Sequence, residues 1–348
     1  MTSKRGARPL LVAVGLIVTA GAIYLALRGV NLDDAGDALA ESNLLWLIPA
    51  SAVLAVGLLL RALRWWSLFD EEHRPPLRAV TRALFIGYFF NNILPVRAGE
   101  LARVIALHRG AGTPRAEGLS TVVVERLFDV LALLVLLFAA YPLLPEISWL
   151  QTAALFAAGI VVAVSVLVFV IIRYDERAIH WLLSPLRRLP IAGVAERVEY
   201  GARNATRGLV AIRNPHVALE AMALTLASWL ALAFSCWILF EAFSLDLPLV
   251  AGLLVLVTIN LSLILPSAPA AIGVFEYATV VALRAFDVPR AEALSYGLVL
   301  HLLNLVPFLL IGIALLGPGA LRRRQEPLAY EALDEHEPAG GVERARKL

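Results

Sequence analysis

Long apolar runs alternate with short polar segments along almost the whole chain. A helix needs about 20 predominantly apolar residues to cross the hydrocarbon core of a bilayer, because each residue adds about 1.5 Å of rise. Six runs reach or approach that length, and each predicts a membrane-spanning helix. Their approximate bounds are residues 9–27, 44–60, 118–141, 150–172, 217–240 and 293–316. The pattern therefore predicts an all-α fold, a polytopic transmembrane helical bundle.

Two further apolar segments are broken into halves that are too short to cross a bilayer. Proline removes a backbone donor and glycine tolerates tight turns, so both residue types end helices at the breaks. Irregular backbone at membrane depth needs protein or a watery cavity around it. We therefore expect two re-entrant helical hairpins, at about residues 82–108 and 249–286. The residues that we predict to be their hinges are Pro95, Gly99, Pro266, Pro269 and Gly273.

The two breaks repeat one order of residues. An asparagine precedes a Leu-Pro step, and a small-residue turn with glycine and glutamate follows. The first copy begins at Asn91-Asn92 and ends at Glu100, and the second begins at Asn260 and ends at Glu276. Hairpins that enter from opposite faces form an inverted repeat, whose half-helix N-termini aim at anionic groups. Chance recurrence in so apolar a chain is the alternative.

Composition supports a membrane protein. Of the 348 residues 60% are hydrophobic and 17% are charged, with a mean hydropathy of +0.78, which is too apolar for a soluble globule. Lysine occurs only at Lys4 and Lys347, so nearly every basic residue is arginine. Arginine content alone therefore does not indicate a phosphate site. Cys236 is the sole cysteine, which excludes an intrachain disulfide and a cysteine-built metal site.

Basic loop residues predict the orientation, because cytoplasmic loops carry an excess of lysine and arginine. The N-terminus, the arginine-rich residues 173–216 and the triplet at 322–324 lie in the cytoplasm on this rule, and the acidic residues 31–42 lie outside. We expect a multi-pass protein of the cell membrane with both termini cytoplasmic. Its transmembrane domain covers residues 1–321, and its tail, residues 322–348, is disordered.

Two loop regions need a closer interpretation. The second predicted helix ends near residue 60, so the arginines that follow it lie in a cytoplasmic loop, and Trp65 and Trp66 lie at the interfacial level. These arginines are Arg61, Arg64, Arg74 and Arg78. Residues 173–216 show helical spacing of apolar positions, which indicates amphipathic helices on an anionic leaflet. An ordinary positively charged loop is the alternative.

Charged residues cluster in and after the first break. Glu125 and Asp129 lie one helical turn apart, and an unpaired charge at membrane depth costs at least about 2.5 to 3.5 kcal/mol. A structural ion-pair network is one interpretation. Arginines that bind a lipid phosphate, compensated by carboxylates, are the other, because the guanidinium fork matches phosphate oxygens. The candidate substrate-binding residues here are Asn91, Asn92, Arg97, Glu100, Arg103, Glu125, Arg126 and Asp129.

A second polar group occurs near the end of the chain. Asn260, Glu276, His301 and Asn304 are candidates for a matching substrate site on the outer side. A hydrogen-bonded core histidine is the alternative role for His301. We predict no catalytic residue, metal site or cofactor, because no nucleophile with an adjacent base and no metal-ligand cluster is evident.

These motifs also resemble a known family, the lysylphosphatidylglycerol synthase transmembrane or flippase-like proteins. The resemblance covers about residues 10–316 and includes His301. It implies a helical bundle related to the flippase portion of the multiple peptide resistance factor, which moves aminoacylated phosphatidylglycerol between leaflets. It also implies kinship with archaeal proteins of polyprenyl-phosphate sugar pathways. The motifs are residues 92–100, 122–129, 266–269 and 272–276.

The chain departs from the family pattern in two turns. Val96 stands where members often have glycine, and Ala270-Ala271 stand where they have one or two glycines, so the hairpin turns are expected to be less flexible. The residues after Arg324 are too few for the soluble aminoacyl-transferase domain, so we do not expect synthase activity.

The sequence-based hypothesis is a lipid flippase that moves a phosphate-headgroup lipid, and not an enzyme. The lipid is a phospholipid, an aminoacyl-phospholipid or a polyprenyl-phosphate-linked sugar. An intramembrane lipid-modifying enzyme, or a membrane scaffold for an envelope lipid or glycan pathway, is the alternative. The expected partners are anionic or phosphate-headgroup lipids, and we expect no nucleic acid. The sequence does not decide whether the protein forms a homo-oligomer or binds a partner enzyme.

Overall fold

The computed structural model describes residues 7–94, 98–145, 214–263 and 268–317, and single helical positions at 155, 158, 159, 162 and 166. No strand occurs among these residues. Most of the predicted helix at 150–172, the amphipathic segment and the tail lie outside the described residues. So do Pro95, Arg97 and Pro266.

The described part of the chain forms ten α-helices, connected by turns and short 3-10 segments. They are α1 (Ala7–Leu27), α2 (Leu32–Ala40), α3 (Leu47–Ser67), α4 (Leu77–Ile93), α5 (Gly99–Ala111), α6 (Arg115–Ala140), α7 (Pro215–Ile238), α8 (Leu249–Ser262), α9 (Val274–Arg284) and α10 (Arg290–Leu316). The 3-10 segments are Leu44–Trp46, Glu71–His73, Tyr141–Leu143, Leu239–Phe243 and Pro269–Ala271.

Three described segments are long and apolar enough to cross a membrane: Leu44–Ser67, Pro215–Phe243 and Arg290–Leu316. A fourth span exists if Gly15–Leu27 and α2, which are bent by 80° relative to each other, are counted as one. Helix α6 also has a spanning length, about 39 Å, but it carries Glu125, Arg126 and Asp129. Large apolar side chains such as Ile48, Leu219 and Leu310 point outward, as a lipid-facing surface requires.

Helices α3 and α7 pack along each other at the centre of the bundle. Helices α4 and α5 contact each other and form hairpin 1, and α8 and α9 contact each other and form hairpin 2. Helix α10 lies between the hairpins, because it packs against both α4 and α9. The two halves of each broken apolar segment are therefore helical and contact each other. That these hairpins are re-entrant stays a prediction.

Hairpin 1 closes through two glycines. Gly87 of α4 faces Gly99 of α5, and a Cβ at Gly99 would overlap the carbonyl oxygen of Gly87 and the side-chain amide of Asn91. The Gly99 N–H donates to Asn91 Oδ1 at 2.9 Å, which satisfies a donor in the first turn of α5. Small residues let the two backbones approach, as they do at many membrane helix crossings.

The turn of hairpin 2 has left-handed backbone at three positions. These are Ala270 (φ 57°), Ala271 (φ 58°) and Gly273 (φ 81°). Only glycine occupies this region without a steric cost, which gives a physical reason for the glycines that the resemblance places at Ala270-Ala271. The turn also contacts α1, because the Ala268 N–H donates to Thr19 Oγ1 at 2.9 Å.

The prediction that the second helix ends near residue 60 is wrong. Helix α3 continues to Ser67, so Arg61 and Arg64 lie inside the helix instead of in a loop. Trp65, which we expected at the interfacial level, is fully buried inside the protein. The reason is that Arg64 has carboxylate partners inside the bundle, and these stabilise a charge that the local pattern treats as a helix end.

The acidic residues 31–42 also contain a helix that the sequence analysis did not predict. Asn31 caps α2, since its side chain accepts a hydrogen bond from the Asp33 N–H at 3.1 Å. Two aspartates occupy the first turn, where the helix dipole favours them. Ser295 of α10 donates to the Ala35 carbonyl at 2.7 Å, which ties α2 to the bundle.

We expect Gly99→Ala to lower the free energy of unfolding by about 1–3 kcal/mol, because the added methyl separates α4 from α5. Gly110→Ala is the matched control on the same helix, since a Cβ there meets open space. It should raise stability by up to about 1 kcal/mol through helix propensity. Thermal unfolding in lipid nanodiscs measures both variants. Equal melting temperatures would contradict the close approach of Gly87 and Gly99.

We expect Ala270→Gly to raise the free energy of unfolding by about 1 kcal/mol, because it removes the cost of a left-handed alanine. The matched control is Ala278→Gly, inside α9, which should lower stability by about 1 kcal/mol or more. The same unfolding measurement applies. A loss of stability in both variants would show that the turn does not hold Ala270 in this conformation.

Candidate functional site

A cavity of about 610 Å³ lies between the two hairpins and the central helices. This volume falls within the range of small-molecule sites, about 300–1,000 Å³. One wall is apolar and one end is charged, and the flanks of both hairpin turns border it. The apolar wall includes Leu54, Leu58, Leu232, Leu256 and Phe308, and the charged end includes Arg61, Glu100 and Arg126.

Behind the charged end lies a buried ion-pair network centred on α6. Arg64 of α3 contacts Asp129 Oδ1 at 2.5 Å and Glu125 Oε1 at 3.0 Å. Arg103 of α5 reaches Glu125 from the other side with two parallel hydrogen bonds, each 3.1 Å. All four side chains are at most 5% exposed. Such bidentate pairing offsets the cost of removing these charges from water.

Arg126 and Glu100 connect this network to the cavity. Arg126 contacts Glu125 at 2.8 Å, Asp129 at 3.3 Å and Glu100 at 3.4 Å, and its side chain is 45% exposed. Glu100 also contacts Arg103 at 2.6 Å. Three arginines thus pair with three carboxylates, namely Arg64, Arg103 and Arg126 with Glu100, Glu125 and Asp129. The group as a whole has no net charge.

Helical spacing brings these side chains together. Glu125 and Asp129 are one turn apart on α6, and Arg61 and Arg64 are one turn apart on α3. A Cβ added at Gly118 of α6 would meet only the side chain of Val104 on α5, at 3.2 Å. Helix α5 therefore packs closely against α6 at this glycine. The first turn of α5 carries Glu100, where a carboxylate is favoured by the helix dipole.

Aromatic and hydroxyl groups hold the network in place. Trp229 Nε1 donates to Asp129 Oδ1 at 3.1 Å, and Arg64 Nη1 donates to Thr225 Oγ1 at 3.3 Å. The Arg103 guanidinium lies 4.7 Å from the centre of the Trp65 ring. These contacts come from α3 and α7, so the central helix pair positions the charges of α5 and α6.

The second polar cluster lies at the turn of hairpin 2. His301 Nε2 lies 3.0 Å from the Ala270 carbonyl, and His301 Nδ1 lies 2.6 Å from Glu276 Oε1. A carbonyl only accepts, so Nε2 carries a proton. The contact between Nδ1 and Oε1 then needs a second proton, held by the imidazole or by the carboxyl group. Glu276 Oε2 accepts from the Gly273 N–H at 2.7 Å and caps α9.

Three asparagines border the cavity in one common arrangement. Asn92, Asn260 and Asn304 each donate a side-chain N–H to the carbonyl four residues earlier, at 2.8–2.9 Å. All three line the cavity. Asn92 and Asn260 belong to hairpins 1 and 2, so both hairpins place the same residue type, bonded in the same way, in the lining of one cavity.

The structure brings together most of the residues that the sequence analysis selected. Glu100, Arg103, Glu125, Arg126 and Asp129 form the network as described above. Four asparagines and His301 border the same cavity, and Glu276 contacts His301, so the two predicted clusters share one chamber. Arg97 lies outside the described residues. The role of these residues in binding a substrate stays a prediction.

Sequence analysis missed two central residues, Arg61 and Arg64. Arg64 is 1% exposed and pairs with both carboxylates of α6. The apolar spacing of Leu60, Ala62 and Leu63 continues past residue 60, and this was the one signal that α3 extends further. Both arginines were predicted to lie in a loop, because the carboxylates that pair with Arg64 lie 61 and 65 residues away in the sequence.

Helices with apolar outer surfaces around a charged inner chamber define a polytopic helical membrane protein. Comparison with protein families narrows this class. Residues 12–312 match the model of the lysylphosphatidylglycerol synthase TM region, so the chain belongs to this family. The resemblance seen in the motifs is thereby confirmed.

Individual relatives agree with that membership. A UPF0104 membrane protein of Methanothermobacter thermautotrophicus is 27% identical over 265 residues, which cover 73% of this chain and 78% of the relative. The UPF0104 membrane protein MJ1078 of Methanocaldococcus jannaschii is 24% identical over 234 residues, 64% of this chain and 91% of the relative. Glycosyltransferase AglD of Haloferax volcanii is 25% identical over 127 residues, 36% of this chain and 20% of that protein.

We expect Arg64→Leu to lower the free energy of unfolding by about 3–5 kcal/mol, because it leaves Glu125 and Asp129 with too few cations. Arg78→Leu is the control, since Arg78 is exposed on α4, and it should change stability by about 0.5 kcal/mol or less. Denaturant or thermal unfolding in nanodiscs gives both values. If Arg64→Leu changed the free energy of unfolding as little as Arg78→Leu does, that result would argue against a buried network.

Proposed function

We propose that this protein moves a lipid with a phosphate-containing headgroup between the two leaflets of a cell membrane, without altering it chemically. Membership in the family supports a role in a membrane lipid or glycan pathway. The shape and lining of the cavity support transport as that role. Membrane lipids are the partners that this proposal requires.

One observation carries the proposal: a single chamber combines an apolar wall with a charged end, inside helices whose outer faces are apolar. A lipid has the same two parts. Its headgroup needs polar partners at membrane depth, and its chains need an apolar surface. A protein that only held helices together would bury its ion pairs without a chamber beside them.

The two hairpins give this chamber a transport mechanism. In our proposal both are re-entrant, enter from opposite faces and form an inverted repeat. Residues next to each break, Leu94 and Ala268 among them, line the same cavity, which supports this arrangement. The helices that follow the breaks, α5 and α9, begin beside the cavity, so the positive ends of their dipoles are available to an anion.

We also propose an orientation. The basic residues near the N-terminus and at 322–324 favour a cytoplasmic position of both termini in the plasma membrane. The acidic α2 then lies on the outer side. On this orientation hairpin 1 opens toward the cytoplasm and hairpin 2 toward the outside.

The partial match to glycosyltransferase AglD bears on the substrate class. The matching region covers 20% of that protein, so its activity does not transfer to this chain. That protein is named as a glycosyltransferase, and on this ground we propose a sugar-linked lipid, such as a polyprenyl-phosphate-linked sugar, as the first substrate class. Phosphatidylglycerol and its aminoacyl forms are the second class, through the name of the family.

A cavity-filling variant tests the route. We expect Asn304→Trp to reduce lipid movement to the background of protein-free vesicles, because the indole occupies the chamber. The control is Leu302→Trp on the same helix, where the side chain is 55% exposed at the outer surface, and it should keep the wild-type rate. Proteoliposomes with fluorescent phosphatidylglycerol or a labelled polyprenyl phosphate measure the rate through quenching of outer-leaflet label.

Two outcomes of this assay would count against the proposal. Wild-type protein that moves neither lipid faster than protein-free vesicles would contradict transport of these phosphate lipids. Equal rates for Asn304→Trp and wild type would show that the lipid does not pass through this cavity. Size-exclusion profiles and melting temperatures establish that each variant is folded.

A further inference from the structure

We infer that Arg61 binds the phosphate group of the lipid and is the main anion-binding residue of the cavity. This inference rests on the proposed function and names the residue that recognises the substrate. The chemical class of the ligand is a phosphate monoester or diester on an apolar chain. Arg61 was not among the candidates that the sequence indicated.

The other described arginines, one at the charged end of the cavity and two in the network behind it, have little binding capacity left. Arg64 and Arg103 are almost fully buried, and each contacts two carboxylates. Arg126 is half-exposed but contacts three carboxylates. A phosphate at any of these residues would have to displace an existing ion pair. The network is therefore a poor anion receptor, although it contains three arginines.

Arg61 differs from these three in its partners. It borders the cavity, and within the described residues it has no carboxylate at ion-pair distance and no hydrogen bond. Its buried Nε has no partner, as in Arg64 and Arg103, but its terminal nitrogens are uncommitted as well. Since the network itself is neutral, Arg61 adds one formal positive charge to the described residues at this end of the cavity, where it attracts Asp129 from beyond ion-pair distance. A cation at membrane depth without an ion-pair partner marks a functional position.

Arg61 is also held in place for binding. Its guanidinium lies 4.3 Å from the centre of the Trp229 ring. Trp229 is itself fixed, because its Nε1 donates to Asp129, which is paired with Arg64. Stacking covers one face of the planar guanidinium and leaves its N–H edge available for two parallel hydrogen bonds to phosphate oxygens. The neutral network therefore acts as a support for Arg61.

The surroundings of Arg61 suit an amphiphile. Leu58, one helical turn before Arg61, and Leu232, near Trp229 on α7, both line the cavity. A phosphate on Arg61 would place the attached chain along this apolar wall. A free inorganic phosphate would gain nothing from these leucines, so the site favours a lipid phosphate over the free ion.

The test compares lipid binding by Arg61→Gln, Arg61→Lys and wild type in the full-length protein. Arg74→Gln is the matched control, because the Arg74 guanidinium stacks on Trp66 at 4.4 Å but lies outside the cavity. The probes are short-chain phosphatidylglycerol, farnesyl phosphate, inorganic phosphate and the uncharged dioctanoylglycerol. Equilibrium binding in detergent and translocation in proteoliposomes are measured for every variant.

We expect Arg61→Gln to weaken binding of the phosphate lipid about tenfold to a hundredfold, with no change for dioctanoylglycerol. Arg61→Lys keeps the charge but loses the planar fork, so it should lie between Arg61→Gln and wild type. Arg74→Gln should bind and transport as wild type does. The two lipid arms show whether the preferred source is a diester or a monoester.

Failure of the inference and failure of the proposed function give different results. If wild type binds and moves a phosphate lipid and Arg61→Gln retains full affinity, the inference is overturned and the transport proposal stands. If wild type binds neither lipid, both are overturned. Wild-type affinity for inorganic phosphate equal to that for the lipids would overturn the lipid specificity. Should Arg61→Gln not fold, Arg61→Lys decides on the same criteria.

Discussion

The structure depends on neutralising charges inside an apolar bundle. Glu125 and Asp129 lie on a helix surrounded by apolar elements, and neither carboxylate would persist there alone. Their cations come from α6 itself, from α5, which precedes it directly, and from α3, which is remote in sequence. This requirement fixes how α3, α5 and α6 meet. The central α3–α7 pair and hairpin 1 are therefore positioned by electrostatics as well as by packing, and the cavity lies where these elements diverge.

In hairpin 1, local sequence features bring charged residues to the positions where they neutralise the buried carboxylates. Gly87 and Gly99 allow α4 and α5 to approach closely, and Asn91 satisfies the start of α5. That approach brings Arg103 to Glu125 and Glu100 to Arg126. Hairpin 2 uses different means at its turn, with left-handed backbone and the contact between Glu276 and His301. Both devices hold described residues next to the breaks at the edge of one chamber.

The sequence was sufficient for most of the described helices, and it failed at two specific points. Apolar run length placed α3, α6, α7 and α10, and the Pro and Gly breaks placed the halves of both hairpins. The prediction ended the second helix before Arg61 and placed Arg64 in the following loop, because a charge after an apolar run normally marks a membrane boundary. The Asp129 partner of Arg64 is 65 residues away, so no local pattern could reveal the pairing. Helix α2 was missed because acidic residues dominate it.

Paired and unpaired arginines have different consequences for a transporter. A site must bind its ligand well enough to admit it and weakly enough to release it on the other side. Four free arginines around one phosphate would hold it too tightly for release. Pairing three of them with carboxylates removes their attraction but retains their structural role. In our proposal Arg61, which has no ion-pair partner among the described residues, supplies recognition that is strong enough to select a phosphate and that the exit of the lipid can reverse. The neutral network is thus what makes reversible binding by a single arginine feasible.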